Sequence, residues 1–148
     1  MLSMQSHAQK MRILAEGARL LTAGGRYGIH EICFRPDGIP AAVRHDIEAE
    51  MSKEIHVGVR PLCCCEWRQM LEQQGLKVIW CEETDLDLLE PRRMLQDEGI
   101  CRCLKIACNV LRDAVLRQRV MAIRKIFRRY REHLGAVSIV GVRTEDAT

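Results

Sequence analysis

The segment Leu20-Leu21-Thr22-Ala23-Gly24-Gly25-Arg26-Tyr27-Gly28-Ile29-His30-Glu31 sets a paired-glycine stop between a helix pattern and a strand pattern. Upstream, Met11, Leu14, Ala18 and Leu21 recur at three- and four-residue steps, the spacing of one helical face, and Ser6 offers a cap. Downstream, Ile29 and Ile32 with Gly28 leave little polar surface between Arg26 and Phe34, which predicts a strand covered on both faces. A helix that ends on glycine and passes at once into such a strand is a helix-to-parallel-strand junction. It commits the chain to an α/β fold.

The same grammar recurs further along. Pro40 suits the first turn of a second helix, with Val43, Ile47 and Met51 as its apolar stripe. After Arg60-Pro61 a third helix carries Trp67, Met70 and Leu71 and stops at Gly75, and Lys77 to Cys81 supplies a strand. From about residue 86 to 134 the pattern is helical throughout, with Pro91 opening one helix and Asp113 capping the next. Ala136 to Val142 is a last strand, and Arg143 to Thr148 a polar tail. The reading is one domain over residues 1–148 with three strands and a helical insertion before the last of them.

Composition narrows the function classes. The chain has 148 residues, 47% hydrophobic and 29% charged, which is globular rather than disordered. Its apolar runs fall well short of the roughly 20 residues of a membrane span, and no signal-peptide layout opens it, so the expected location is the cytoplasm. A net charge of +3 is too mild to imply nucleic acid. None of the eight cysteines forms a C-x-x-C pair, and Cys63, Cys64 and Cys65 are adjacent, so neither a metal nor a disulfide framework is expected. They read as small apolar residues.

In order, the pieces are helix, Gly-Gly turn, strand, inserted helix, Arg60-Pro61-Leu62, the Glu66-Trp67-Arg68 helix, strand, helical insertion and strand. With Gly25 to Glu31, Leu88-Leu89-Glu90-Pro91-Arg92-Arg93 and Phe127-Arg128-Arg129-Tyr130, this series resembles the C-terminal half of class I S-adenosylmethionine-dependent methyltransferases that act on small molecules. The resemblance implies a partial Rossmann-like sheet. It also implies S-adenosylmethionine as cofactor of the complete enzyme, while the glycine-rich cofactor loop and the ribose-binding acid belong to strands upstream of this sequence. No cofactor-binding residue is identifiable here, and the chain alone is expected to bind none. The family pattern has Thr where Cys63 stands, so the cap of the third helix is expected to be weaker by about 0.5–2 kcal/mol.

In open α/β sheets ligands gather beyond the carboxyl ends of the strands, which makes His30 and Glu31 the leading substrate-binding candidates. His30 can orient a substrate or accept its proton, and Glu31 can bind a cation or a hydroxyl. His56 and Arg60, flanking the third helix, are further candidates for an anionic or polar substrate. Each has a plain structural alternative. Catalytic residues are not assignable, and no metal is implied.

Two non-enzymatic readings stay open. One is an interaction domain without cofactor. The other rests on Leu116, Val120, Ile123, Phe127, Tyr130 and Leu134, an apolar stripe on a helix whose remaining face is rich in arginine and lysine, which suits an anionic partner. A half sheet also exposes an edge, and the helix face of Met11 and Leu14 would lose cover beside it. The chain is therefore expected to self-associate or to need a partner that completes the sheet.

Overall fold

In the computed structural model, residues 1–86 and 91–144 are described; Leu88, Leu89 and Glu90 of the sequence motif above, and the tail from Glu145, lie outside them. A 3-10 turn at Leu2–Met4 precedes α1 (His7–Leu20), β1 (Arg26–Phe34), α2 (Ala41–Ile55), β2 (Leu62–Cys63), α3 (Cys64–Glu72), β3 (Leu76–Asp85), α4 (Pro91–Arg112), α5 (Ala114–Arg129) and β4 (Leu134–Arg143). The sheet order is β2-β1-β4-β3. The α/β class and the helical insertion before the last strand are as expected. The expected three strands become four, because Leu62 and Cys63 pair in parallel with Cys33 and Phe34.

Local chemistry explains the element ends. Ser6 and Gln9 form a capping box at the start of α1. Asp113 caps α5 by accepting from Val115 and Leu116 N–H at 2.9 and 3.0 Å. Gly24 and Gly75, at φ near 73°, make the left-handed turns that release the chain into β1 and β3. Gly99 does something the periodicity did not announce. With φ 74° and ψ 168° it breaks α4 into two segments.

The strand β1 pairs with β4 antiparallel along its whole length, from Arg26 opposite Val142 to Phe34 opposite Leu134. Side chains then alternate between two faces. Ile29 and Cys33 join Leu14, Ala18, Trp67, Leu71, Val137 and Ile139 in one buried cluster beneath α1 and α3. On the opposite face, Ile32 and Phe34 join Ile47, Met51, Ile126, Phe127 and Leu134 beneath α2 and α5. Leu14 is fully buried and Met11 packs against the first cluster, so this helix face does not lose its cover, contrary to expectation.

The second face is covered only at one end. One row of it crosses the strands as Gly28, Val140 and Trp80, and Trp80 is 45% exposed. The free edge of β1 is likewise only partly closed. Among the described residues, β2 takes Cys33 and Phe34, and no strand pairs with Arg26 to Glu31 on that side.

The start of α3 shows how a weak cap is reinforced. Cys63 stands in the capping-box position with its thiol toward the Glu66 N–H, a weak sulfur acceptor, while Glu66 accepts from the Cys63 N–H at 2.7 Å. Arg44 of α2 adds a forked ion pair to Glu66 at 3.1 and 2.8 Å and lies 4.9 Å from the centre of the Phe34 ring. Burial acts to raise the Glu66 pKa, but Arg44 and the Cys63 N–H outweigh it and hold the carboxyl below its ordinary value. Its contribution to stability is therefore present above the unfolded carboxylate pKa, about 4.3, and lost as pH falls through the lower folded value. Melts between neutral and acid pH should show Glu66→Gln losing about 1 kcal/mol at pH 7 and little at the acid end. A loss that does not depend on pH would show that the ion pair contributes nothing.

Candidate functional site

His30 and Glu31 are the fifth and sixth residues of the nine in β1, mid-strand rather than at its carboxyl end. Neighbours in a strand face opposite ways. The structure accordingly separates the pair.

Glu31 is buried, at 6% exposure. Its carboxylate accepts from the N–H of Leu2 at 2.6 Å, the N–H of Ser3 at 3.0 Å and the Ser3 hydroxyl at 2.7 Å. The Ser3 carbonyl in turn accepts from the Arg60 N–H at 2.7 Å, and the Arg60 carbonyl from buried Lys10. Burial pushes the Lys10 pKa down, against the attraction of Glu31. Arg60 is thus tied in through its backbone, while its side chain is exposed and lies along Gly58. His56 is exposed and closes α2 in the left-handed conformation, at φ 58°.

His30 lies on the other face, at the border between the covered and uncovered parts of the sheet. Its Nδ1 is 2.7 Å from the Ser138 hydroxyl of β4, its direct cross-strand neighbour. His30 lines a cavity of about 440 Å³ between the sheet and both segments of α4, shared with Thr84, Asp85, Arg93, Asp97, Ile106 and Ala136. Asp85 is held at its rim by Arg35, at 2.6 Å, and this guanidinium keeps its carboxyl below the ordinary range. Asp97 pairs with Arg93 at 2.9 Å. The cavity therefore combines one imidazole, positioned by a hydroxyl through Nδ1, with carboxylates and a guanidinium. The second ring nitrogen remains for a ligand, to which it can donate or from which it can accept a hydrogen bond.

Of this group the sequence singled out only His30 as a site candidate. Ser138 carried a signal, as the polar residue within an otherwise apolar strand. Arg93 and Asp97 are four apart on a helix, the spacing of an ion pair. Of the other candidates, neither Glu31, His56 nor Arg60 lines this cavity. Burial pushes Cys33 up to about 12 and Cys63 up to about 11, and the Cys64 thiol, 3.1 Å from that of Cys81, upward too, so these three thiols are not activated as nucleophiles. No cluster of His, Cys, Asp or Glu suited to a metal occurs among the described residues.

No known family model matches the chain. An uncharacterized protein of Haemophilus influenzae is 29% identical over 112 residues, which are 76% of this chain and 43% of that protein. Among solved structures, phosphoethanolamine N-methyltransferase 2 of Haemonchus contortus, in complex with S-adenosyl-L-methionine, matches at a TM-score of 0.58 and 12% identity. That match covers 98% of this chain and 32% of the enzyme. A methyltransferase of Geobacter sulfurreducens in complex with S-adenosyl-L-homocysteine matches at 0.52 and 18% identity, covering 95% and 53%. The fold is methyltransferase-like. The [4+2]-cyclase SpnF shares it, at 0.57 and 14% identity over 96% of this chain and 47% of the cyclase. The chain spans about half the length, or less, of each of these proteins. Among the described residues no helix is long and apolar enough to cross a membrane.

Proposed function

We propose that this chain acts as the C-terminal half of a class I S-adenosylmethionine-dependent methyltransferase for a small molecule, and that it is inactive alone. The observation that carries this reading is β1 itself. It has a full antiparallel neighbour on one side and, among the described residues, a parallel neighbour for only two residues on the other. A sheet built this way has room beside β1 for the parallel strands of the longer relatives, and the uncovered row of Gly28, Val140 and Trp80 has room for their helices.

The residues present do not fit the cofactor. Gly24 and Gly25 lead from a helix into a strand, the reverse of the strand-to-helix order of a cofactor loop, and Gly38, between β1 and α2, stands alone. What this chain brings is the acceptor side: His30, held by Ser138, faces a cavity large enough for a small molecule. Methyl transfer asks mainly for in-line positioning, which a fixed imidazole and flanking charges can provide.

Titration calorimetry tests the reading. The isolated chain should give no saturable heat with S-adenosylmethionine at micromolar concentrations, and co-expression with polypeptide carrying the upstream half should restore binding. A low-micromolar dissociation constant for the chain alone would overturn it.

The interaction-domain alternative is favoured by one feature, the apolar outer surface of α4. The basic-helix alternative has less support. Of the expected stripe, Phe127 and Tyr130 are buried at the end of α5 and Leu134 is buried in β4 rather than on the helix, and Arg129 is paired with Glu50 of α2 at 2.9 Å.

A further inference from the structure

Two sulfurs from different elements meet beside the sheet. Cys64 opens α3, and Cys81 lies in β3, the outermost strand in the sheet order, opposite Ile139 of β4. Their thiols are 3.1 Å apart across 17 positions of sequence. A disulfide bond is about 2.05 Å long, so the two sulfurs stand roughly 1 Å from bonding distance. Cys64 belongs to the buried cluster beneath α1 and α3, and Cys81 packs against that cluster. The packing of both elements therefore holds the sulfurs together.

The two thiols are unequal. Cys64 is 8% exposed, whereas Cys81 is half-buried and within reach of a small reagent. Glu82 and Glu83 follow Cys81 in the strand, so an uncharged oxidant reaches it more readily than an anionic one. Glu83 shares the Cys81 face of β3, two residues on, and its carboxylate meets the Cys64 thiol. The sequence neighbours of Cys64 lie elsewhere: Cys63 packs in the cluster on the opposite face of the sheet, and Cys65 is exposed beside Asp37.

We propose that Cys64 and Cys81 are a peroxide-responsive thiol pair, which closes to an intramolecular disulfide and braces the start of α3 against β3. The Cys81 thiolate attacks one oxygen of hydrogen peroxide. The O–O bond breaks, hydroxide leaves with the electron pair and takes up the proton that Cys81 released, and Cys81 becomes a sulfenic acid. The Cys64 thiol then passes its proton to Glu83, and its sulfur attacks the Cys81 sulfur. The S–O bond breaks, and the departing hydroxide recovers that proton as water. Two thiols and one peroxide thus become one disulfide and two waters. Burial, the Cys81 sulfur and the Glu83 carboxylate keep Cys64 protonated, so it does not start the reaction. Its part is the second step, where proximity replaces intrinsic reactivity.

The test treats the reduced chain, at low micromolar concentration, with increasing hydrogen peroxide and digests it without reductant. Mass spectrometry should find Cys64 linked to Cys81, and dithiothreitol should return both thiols. Cys64→Ala should leave Cys81 as the sulfenic acid, labelled by dimedone at least tenfold more than in the parent. Cys63→Ala should keep the link. Closing 17 positions of chain constrains the unfolded state, so the oxidised parent should melt about 5–10 °C above the reduced one. A Cys81 that remains a free thiol across the peroxide range overturns the proposal, and the parent alone reads this should Cys64→Ala fold poorly. A link that bypasses Cys64 overturns it too, as does dimedone labelling of Cys81 as strong in the parent as in Cys64→Ala. An oxidised parent that melts no higher than the reduced one overturns the brace.

Discussion

Glu31→Ala is expected to destabilise the chain by about 3–5 kcal/mol, a large share of the 5–15 kcal/mol typical of a folded domain. The substitution orphans the N–H of Leu2 and of Ser3 and leaves the Ser3 hydroxyl only the Ile32 carbonyl, at 3.5 Å. Each buried donor left without an acceptor costs about 1–3 kcal/mol. Peeling the terminus away would rehydrate those donors, which limits the loss, but it would also uncover Leu2 and break the bond from Arg60 N–H to the Ser3 carbonyl. Urea unfolding gives the number. His30→Ala provides the control one residue away: an exposed ring with one hydrogen bond to Ser138 should cost about 1 kcal/mol or less. Comparable losses at the two positions would mean that the N-terminal turn is not docked on Glu31 in solution.

That contrast marks where sequence reading stopped. The helices and the long strands were legible because their signals are local. Ser6, Gly24, Gly75, Asp113 and the 3.6-residue stripes each act within one turn of their own position. The two-residue strand Leu62–Cys63 was not legible, since pairing that short leaves no alternation to read. Strand β3 runs on through Glu82, Glu83, Thr84 and Asp85, whose polarity reads as loop; pairing with β4 keeps them extended. On sequence His30 and Glu31 are candidates together, although the period of two along a strand sets neighbours on opposite faces, and nothing local says that Glu31 is met by residues 28 and 29 positions earlier in the chain. Likewise His30 was visible as a candidate, while Ser138, Thr84 and Asp97 reach it only through strand pairing and the fold of α4. Leu14 was misjudged for the same reason: α3 covers it, and nothing near residue 14 announces that.

Trp67 is where those long-range contacts converge, and Trp67→Ala should cost about 3–5 kcal/mol. The side chain is fully buried in the cluster of α1, α3 and the sheet, with Leu14, Ala18, Cys33 and Val137. Its Nε1–H donates to the Ile32 carbonyl at 3.4 Å, and the Lys10 ammonium sits 5.1 Å from the ring centre. Alanine would leave a cavity and strip the buried ammonium of that face. Phenylalanine keeps most of the apolar contact and forfeits the long hydrogen bond, so Trp67→Phe should cost about 1–2 kcal/mol. Trp80 calibrates the series. It is 45% exposed on the uncovered part of the sheet, and Trp80→Ala should change stability by about 0.5 kcal/mol or less. Denaturant midpoints followed by far-ultraviolet circular dichroism, which does not depend on the tryptophan removed, should rank the losses as Trp67→Ala, then Trp67→Phe, then Trp80→Ala. A larger loss at Trp80 than at Trp67→Phe would show that the open face is buried in solution, as it would be if a second copy or a partner lay across Gly28, Val140 and Trp80.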